Sequence, residues 1–487
     1  MSLIAALERH AAQTPQKTAL RFDGQAISFR ALWQGVEAQD GALRGRGVLP
    51  GDRVAWLGLN DPQMLVLLLA LARIGAILVP LNYRLALAEL QAIIDHSQAM
   101  CLISDQVHKP TANQLRLSPP PRVEPTARSN ADADLPVLLV YTSGTTGKPK
   151  GALHTQAGLL ANCIASQHAH GFTPDDHVLT ALPMFHVGGL CIQTLPALYA
   201  GAQVTIHARF DAGTWLNDVQ ALKPSMSLLV PATLRAVIAH PSFAAADLSS
   251  LKLLNAGSSS VPLSQIEAFH ARGIPVCQVY GATETGPVSI YLLRSEAMQH
   301  AGSAGRAGLH VSVRLVDDAG MDAPNGGVGE IWLRAPNLMR GYWRDPDNAA
   351  FHDGWFHTGD LARRDADGFY RVVGRIKDMI ISGGENIYPA ELENILADCP
   401  LIAEAAVIGQ PDAQWGEVAV AVVVRQPGSA IDANGVRALF DGKLARYKQP
   451  RQVIFCDALP KTALGKVQKA ALAGLVQNSA KAAFKTP

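Results

Sequence analysis

The chain has 487 residues, 48% of them hydrophobic and 17% charged, with 42 basic against 41 acidic side chains. That is enough apolar chain for a large core and about three average domains. A formal net charge of +1 excludes the electrostatic footprint of a nucleic-acid or anionic-membrane binder, so a small ligand is the expected partner.

The first segment, MSLIAALERHAAQTP, mixes both charge signs with apolar residues and lacks the apolar centre of a signal peptide. Arg53–Asn60 reads as a strand. The most apolar run follows, Met64–Ala72, nine residues ending at Arg73. A membrane-spanning helix needs about 20 residues, so no transmembrane segment is expected, and the run predicts a buried helix capped by Asp61 and opened by Pro62. Ala76–Asn82, Leu135–Gly144, Ala202–His207, Ser227–Pro231, Leu251–Gly257 and Pro275–Gly281 are further short apolar strands set between helical stretches. This alternation predicts an α/β fold with parallel sheets covered by helices. Lys109–Leu135, rich in Pro, Ser, Asp and Ala, reads as a surface connection. After Gly374–Gly384 a fresh α+β pattern begins: a helix over Pro389–Leu396, strands in EAAVIG and VAVAVVVR, a helix near Val436–Leu444, and a strand in QVIFCD. The six cysteines form no C-x-x-C pair, which predicts free thiols in a reducing, cytoplasmic setting.

Tyr141–Gly151, YTSGTTGKPKG, follows a buried strand and gathers hydroxyls, glycines and lysines. Backbone N–H groups and hydroxyls of such a turn can wrap phosphate oxygens while lysine neutralises charge. Lys148 is followed by Pro149, so the turn is not a P-loop. The G-x-S-x-G elbow and the H-E-x-x-H zinc motif are both missing from the sequence.

The loop resembles the signature of the adenylate-forming superfamily of acyl-CoA synthetases, luciferases and peptide-synthetase adenylation domains. LPMFHVGG (Leu182–Gly189), YGATE (Tyr280–Glu284), GEIWLRAPNLMRGYW (Gly329–Trp343), GWFHTGD (Gly354–Asp360), GRIKDMIISGGENIYPAE (Gly374–Glu391) and LPKTALGK (Leu459–Lys466) follow in the family's order. The resemblance implies a large N-terminal domain, residues 1–376, of parallel-sheet α/β subdomains plus a β-barrel-like piece. It also implies a small mobile α+β C-terminal domain, residues 377–487, with Lys377 at the hinge. The implied reaction is an ATP-dependent acid–CoA ligation: a carboxylic acid attacks ATP, pyrophosphate leaves, and the acyl-adenylate passes its acyl group to coenzyme A.

Site residues follow from matching positions. Thr142, Ser143, Gly144, Thr145, Thr146, Gly147, Lys148 and Lys150 correspond to the phosphate loop. Asn255, Ala256, Gly257, Tyr280 and Gly281 correspond to the adenine slot, and Thr283 to an α-phosphate contact. Glu284 matches the magnesium carboxylate, suited to a hard cation. Asp360 matches the ribose-binding aspartate, with two acceptor oxygens for a vicinal diol, and Arg375 a second ribose or phosphate contact. Lys466 matches the lysine that bridges two anions during adenylation, and His186 the gate beside the acyl pocket. Gly383 and Gly384 match the pantetheine tunnel, and Arg446 and Lys448 could meet the coenzyme's phosphates.

Val187, Gly188, Leu190, Leu228, Ser258, Ser259, Gly286, Pro287 and Val288 complete an apolar or small-residue acyl pocket. Gly188, Gly281 and Gly286 are expected to leave room for a chain or ring. An unpaired buried carboxylate is costly, so a fatty or aryl monocarboxylic acid is expected. Arg235 is the one nearby cation that could receive a second carboxylate. The wording is closest to bacterial fatty-acid and hydroxycinnamate–CoA ligases. An o-succinylbenzoate–CoA ligase, a stand-alone enzyme loading a carrier protein and a non-catalytic nucleotide-binding relative are the alternatives. A homodimer is compatible with the resemblance.

Overall fold

The computed structural model describes residues 2–117, 134–143, 149–345, 350–383, 385–462, 465–474 and 476. Each strand read from the sequence between Arg53 and Gly281 is found, with bounds shifted to Arg53–Leu57, Ile77–Leu81, Pro136–Ser143, Gln203–Ile206, Met226–Leu229, Leu253–Gly257 and Val276–Tyr280. The apolar run forms a helix over Pro62–Ile74. Asp61 accepts from the Gln63 amide and Gly75 closes the helix with φ 82°.

Among the described residues four sheets organise the chain. In the first, of nine strands, Val276–Tyr280, Leu253–Gly257, Met226–Leu229, His177–Thr180, Gln203–Ile206 and Thr18–Phe22 lie side by side and parallel. Short antiparallel strands close both edges. The second, of six strands, has Pro136–Ser143, Ile77–Leu81, Arg53–Leu57 and Cys101–Ser104 parallel, with Pro149–Thr155 and Gly341–Tyr342 antiparallel at one edge. The helix Pro62–Ile74 lies buried in the core shared by these two sheets, which is why its apolar residues run around the whole circumference rather than along one stripe. The barrel-like piece takes the form of a five-stranded antiparallel sheet built on Val328–Arg334 and Trp355–Arg364.

The fourth sheet pairs Ile402–Asp412 with Gly416–Arg425 and has cores of its own, one built around Ile387, Leu392 and Phe440 and the other around Val420 and Leu472. Its first helix runs over Pro389–Ala397, whereas the one expected near Val436–Leu444 is a short helix over Ala433–Ala438. Gly442, with φ 71°, lies inside the expected span, a conformation incompatible with continuing that helix. Among the described residues no helix is long and apolar enough to cross a membrane, and the six cysteines are unpaired.

Candidate active site

The C-terminal ends of the parallel strands of the nine-stranded sheet gather the predicted residues, the place where open α/β sheets take ligands. Leu253–Gly257 and Val276–Tyr280 are neighbours there, so Asn255, Ala256, Gly257 and Tyr280 sit together. The Asn255 side chain is buried, accepting from Gln193 Nε2 at 2.7 Å and donating to the Cys277 carbonyl at 3.1 Å. What this segment offers a ligand is therefore its backbone. A Cβ at Gly257 would lie 2.6 Å from the Val279 carbonyl oxygen, so only glycine permits that strand spacing.

Tyr280 donates its hydroxyl to Asp360 Oδ2 at 2.9 Å, and Arg375 Nε meets Asp360 Oδ1 at 2.7 Å. Burial and the Asp360 charge push the Tyr280 phenol well up. Burial works against the Arg375 cation more than any one neighbour favours it, but Asp360, Tyr280, Asp378 and Glu284 together outweigh it and the net shift is upward. Asp360 is itself held by a local frame. Thr358 donates to the Ile331 carbonyl at 2.7 Å and accepts from the Asp360 amide, and Glu330 accepts from the Gly359 amide. Gly359 has φ 69°, and the pairing register shifts on either side of Asp360. Such bulges re-aim side chains next to functional sites.

Glu284 lies in the tight turn Thr283–Thr285. One carboxylate oxygen accepts from Tyr342 Oη at 2.8 Å, and burial followed by the Glu284 charge pushes that phenol up. Lys150 Nζ stands 4.9 Å from the centre of the same ring. The Met339 amide donates to the Glu284 carbonyl at 2.7 Å, and Asn337 Nδ2, buried, donates to the Thr285 carbonyl at 2.8 Å. Asn337 and Tyr342 both lie in the GEIWLRAPNLMRGYW motif, yet neither was picked out from the sequence. An asparagine and a tyrosine among other polar and charged residues of the motif do not stand out, and nothing in them reveals the turn some fifty residues earlier that they hold.

His186 Nδ1 accepts from the Gly188 amide at 2.9 Å, so the neutral ring carries its proton on Nε2. Burial, then Lys466, lowers its pKa to about 4. The same electrostatic contact places Lys466 close to His186. Lys466 is exposed as a residue, yet its ammonium end is crowded by Arg375, Asp360, Asp378 and Lys377, and its pKa is lowered, first by desolvation at that end and then by Arg375. Lys377 is exposed in the turn Ile376–Asp378. Gly383 packs on the Trp415 ring, which a Cβ would meet at 2.8 Å.

The acyl-pocket residues divide. Val187, Pro287 and Val288 are buried, and Ser258 takes a left-handed φ of 73°, uncommon outside glycine. Gly281 and Gly286 do not leave room for substrate as expected: a Cβ there would strike the Pro287 and Asn337 backbone at 2.2 and 2.4 Å. Their smallness serves backbone packing. Arg235, the suspected partner for a second carboxylate, donates to the Ala403 carbonyl and pairs with Glu404. Lys448 pairs with Glu391 at 2.7 Å, and Arg446 is exposed. Gly144, Thr145, Thr146, Gly147, Lys148 and Gly384, and the Ser143 side chain, lie outside the described residues. Thr142 and Lys150 flank the loop on paired strands.

The parallel-sheet cradle thus brings together two carboxylates, Asp360 and Glu284, and a lysine from the C-terminal region, Lys466, the positions expected from the resemblance to adenylate-forming enzymes. Residues 7–343 match the family model "AMP-binding enzyme", and residues 391–466 match "AMP-binding enzyme C-terminal domain". The chain belongs to the AMP-binding enzyme family. It is 44% identical to indoleacetate–CoA ligase of Aromatoleum aromaticum, covering 96% of this chain and 97% of that one. It is 42% identical to feruloyl-CoA synthase of an Amycolatopsis species, covering 95% and 96%. Among solved structures it resembles o-succinylbenzoate CoA synthetase (MenE) from Bacillus subtilis in complex with the acyl-adenylate OSB-AMP, at TM-score 0.86 and 30% identity over 96% and 97% of the two chains. The same synthetase is also solved with ATP and a magnesium ion, at TM-score 0.85 and 30% identity over 95% and 98%. Within the family the protein is an acid–thiol ligase: an ATP-dependent acid–CoA ligase that works through an acyl-adenylate.

Proposed function

We propose that the enzyme activates an aromatic monocarboxylic acid, with Lys466, Asp360, Arg375, Glu284 and His186 as its working side chains. The observation that carries this reading is the convergence of Lys466 with Asp360, Arg375 and His186, residues far apart in the chain. An isolated exposed lysine near a terminus would have no reason to meet them.

The reaction brings a carboxylate to the α-phosphorus of ATP. A carboxylate oxygen forms a bond to phosphorus, the bond to pyrophosphate breaks, and a mixed anhydride results. The coenzyme A thiol then attacks the acyl carbon and AMP departs. Both reactants of the first step are anions, so fixed positive charge at their meeting point stabilises the transition state. Lys466 supplies it, and two incoming anions offset the desolvation that depresses its pKa. Asp360 takes the ribose hydroxyls, positioned by Tyr280 and Arg375. His186, neutral above about pH 4, offers Nε2–H to the acid. Thr283, Thr142, Lys150 and the loop residues 143–148 line the phosphates.

Among the described residues no three metal-binding side chains cluster. One carboxylate, Glu284, with an oxygen not engaged by Tyr342, suits a magnesium ion that arrives with ATP and keeps phosphate and water ligands. Bound there, the ion would neutralise phosphate charge. The boundary between the two domains falls at Lys377, about which residues 377–487 turn between the two half-reactions, and Gly383 and Gly384 line the coenzyme's path.

The aromatic preference rests on the named relatives and on the pocket. Leu182, Ile192, Leu228, Val279, Val288 and Tyr291 belong to one apolar cluster, which takes in the expected pocket residues Leu228 and Val288, and the guanidinium of Arg235 is engaged with the C-terminal sheet. The free thiols fit a cytoplasmic enzyme. The test is ATP–pyrophosphate exchange, then CoA-thioester formation, over a panel of indole-acetic, hydroxycinnamic, benzoic, fatty and succinylbenzoic acids. The aryl monocarboxylates should lead. A preference for the succinylbenzoate or for long fatty acids would overturn the substrate reading, and no exchange with any acid would overturn the assignment.

A further inference from the structure

Arg235 is engaged by contacts that a substrate does not explain. It lies on the helix Pro231–Ala239, where Leu234 and Val237 are buried, which turns Ala232 and Arg235 together onto the outer face. That face meets the C-terminal sheet. Arg235 Nη1 donates to the Ala403 carbonyl at 2.7 Å, and Nη2 pairs with the Glu404 carboxylate. The same Glu404 oxygen accepts from Lys461. Lys461 opens a tight loop: it bridges to Val467, the Thr462 amide donates to the Lys466 carbonyl at 2.7 Å, and the Lys466 amide donates to Thr462 Oγ1 at 3.2 Å. A Cβ added at Gly465, which has φ 77°, would lie 3.1 Å from the Ala232 methyl. The Lys466 loop is thus seated on the helix that also carries Arg235, and the two are joined through Glu404.

We propose that Arg235 is a positioning residue: through Glu404 and Lys461 it clamps the C-terminal loop so that Lys466 stands over the cradle. Glu404 is built to release as well as to hold. If Arg235 withdraws, the carboxylate keeps Lys461, so neither domain strands a buried unpaired charge. The pattern recurs at Glu391, which lies 2.7 Å from Lys448 of its own sheet's region and 3.8 Å from Arg363 of the antiparallel sheet. A clamp of shared carboxylates suits a surface that must open once per turnover.

The inference rests on Lys466 being the adenylation lysine, and the experiment keeps the two apart. Arg235→Ala and Glu404→Gln are compared with Lys466→Ala in the full-length enzyme, in two assays: ATP–pyrophosphate exchange, and thioester formation from supplied acyl-adenylate and coenzyme A. Loss of a charge-assisted bond predicts exchange reduced about tenfold in Arg235→Ala. The thioester step should be unchanged or faster, which also certifies the fold, and Arg235→Lys should recover part of the exchange. Equal loss in both assays, or wild-type exchange in both clamp variants while Lys466→Ala is inactive, overturns the clamp alone. Full exchange in Lys466→Ala overturns the clamp and the lysine assignment together.

Discussion

The cradle and the loop that closes on it are built on opposite principles. Around Asp360 and Glu284 each oxygen that positions the site meets a partner fixed in a sheet or a buried turn: Tyr280, Arg375, Tyr342 and Asn337. The Lys466 loop, by contrast, is held among the described residues by short-range bonds around Thr462, by close packing on the neighbouring helix and by partly exposed ion pairs at its surface. Electrostatic catalysis works best when dipoles need no reorganisation, which explains the first. A group required for one half-reaction and in the way of the next must be held by contacts of modest strength, and exposed ion pairs contribute only about 0–1 kcal/mol each.

The largest expected effect removes the loop's one functional group. Lys466→Ala should cut ATP–pyrophosphate exchange by about a thousandfold, the order seen when a preorganised transition-state charge is deleted, while leaving thioester formation from acyl-adenylate nearly intact. An equal fall in both assays would place Lys466 in the cradle's class, as a permanent part of the site. Asp360→Ala should instead weaken both half-reactions, because ribose must be held in each, with the KM for ATP raised about tenfold to a hundredfold by the lost hydrogen bonds and the stranded Arg375.

A second contrast is in acid response. All fifteen histidines lie at or before His357, so the C-terminal sheet has none. His154 and His170 are buried on the cradle side, and burial holds both near a pKa of about 4. Above pH 6.5 they are neutral folded or unfolded and contribute no pH dependence. Below it the unfolded chain takes up protons that the native rings refuse until about pH 4, so stability falls as pH falls. At pH 5 the loss is about 2 kcal/mol per ring. Hydrogen exchange at pH 7 and pH 5, corrected for intrinsic rates, should show segments within 134–343 opening more than segments within 391–462. The reverse order would break the contrast.

What the sequence revealed follows the same division. Strands over Arg53–Leu57 and Leu253–Gly257 are mostly apolar because both faces are covered, the phosphate loop stands out by composition, and Asp360, Glu284 and Lys466 were legible only through the resemblance of the motifs around them. Partnerships across sequence distance were not legible. Arg235 read as a pocket cation because its neighbours in sequence line the pocket, yet one face of a short helix turns it 168 residues onward, to Ala403. Gly281 and Gly286 read as room for substrate, since a glycine that fits a carbonyl and one that fits a ligand look alike until the backbone is placed.

Tyr342 gives the finest test. Its hydroxyl is the one described side-chain donor to Glu284, and its ring underlies Lys150, so one residue ties the carboxylate proposed for magnesium to the arm of the expected phosphate loop. Tyr342→Phe keeps the ring and its packing but removes the donor. A single hydrogen bond to a charged group contributes about 1.5–3 kcal/mol at most, and water can replace part of it at a half-buried site, so a loss of about threefold to tenfold is expected. It should appear as a higher magnesium concentration for half-maximal exchange, with the rate at saturating magnesium within about twofold of wild type and titration calorimetry showing weaker uptake of magnesium–ATP. Tyr342→Ala, which also takes the ring from beneath Lys150, should lower the saturated rate as well. If Tyr342→Phe matched wild type at every magnesium concentration, the cradle would hold Glu284 through its turn backbone alone, and the fixed geometry assigned to that side of the site would come from Asn337 and Met339 instead.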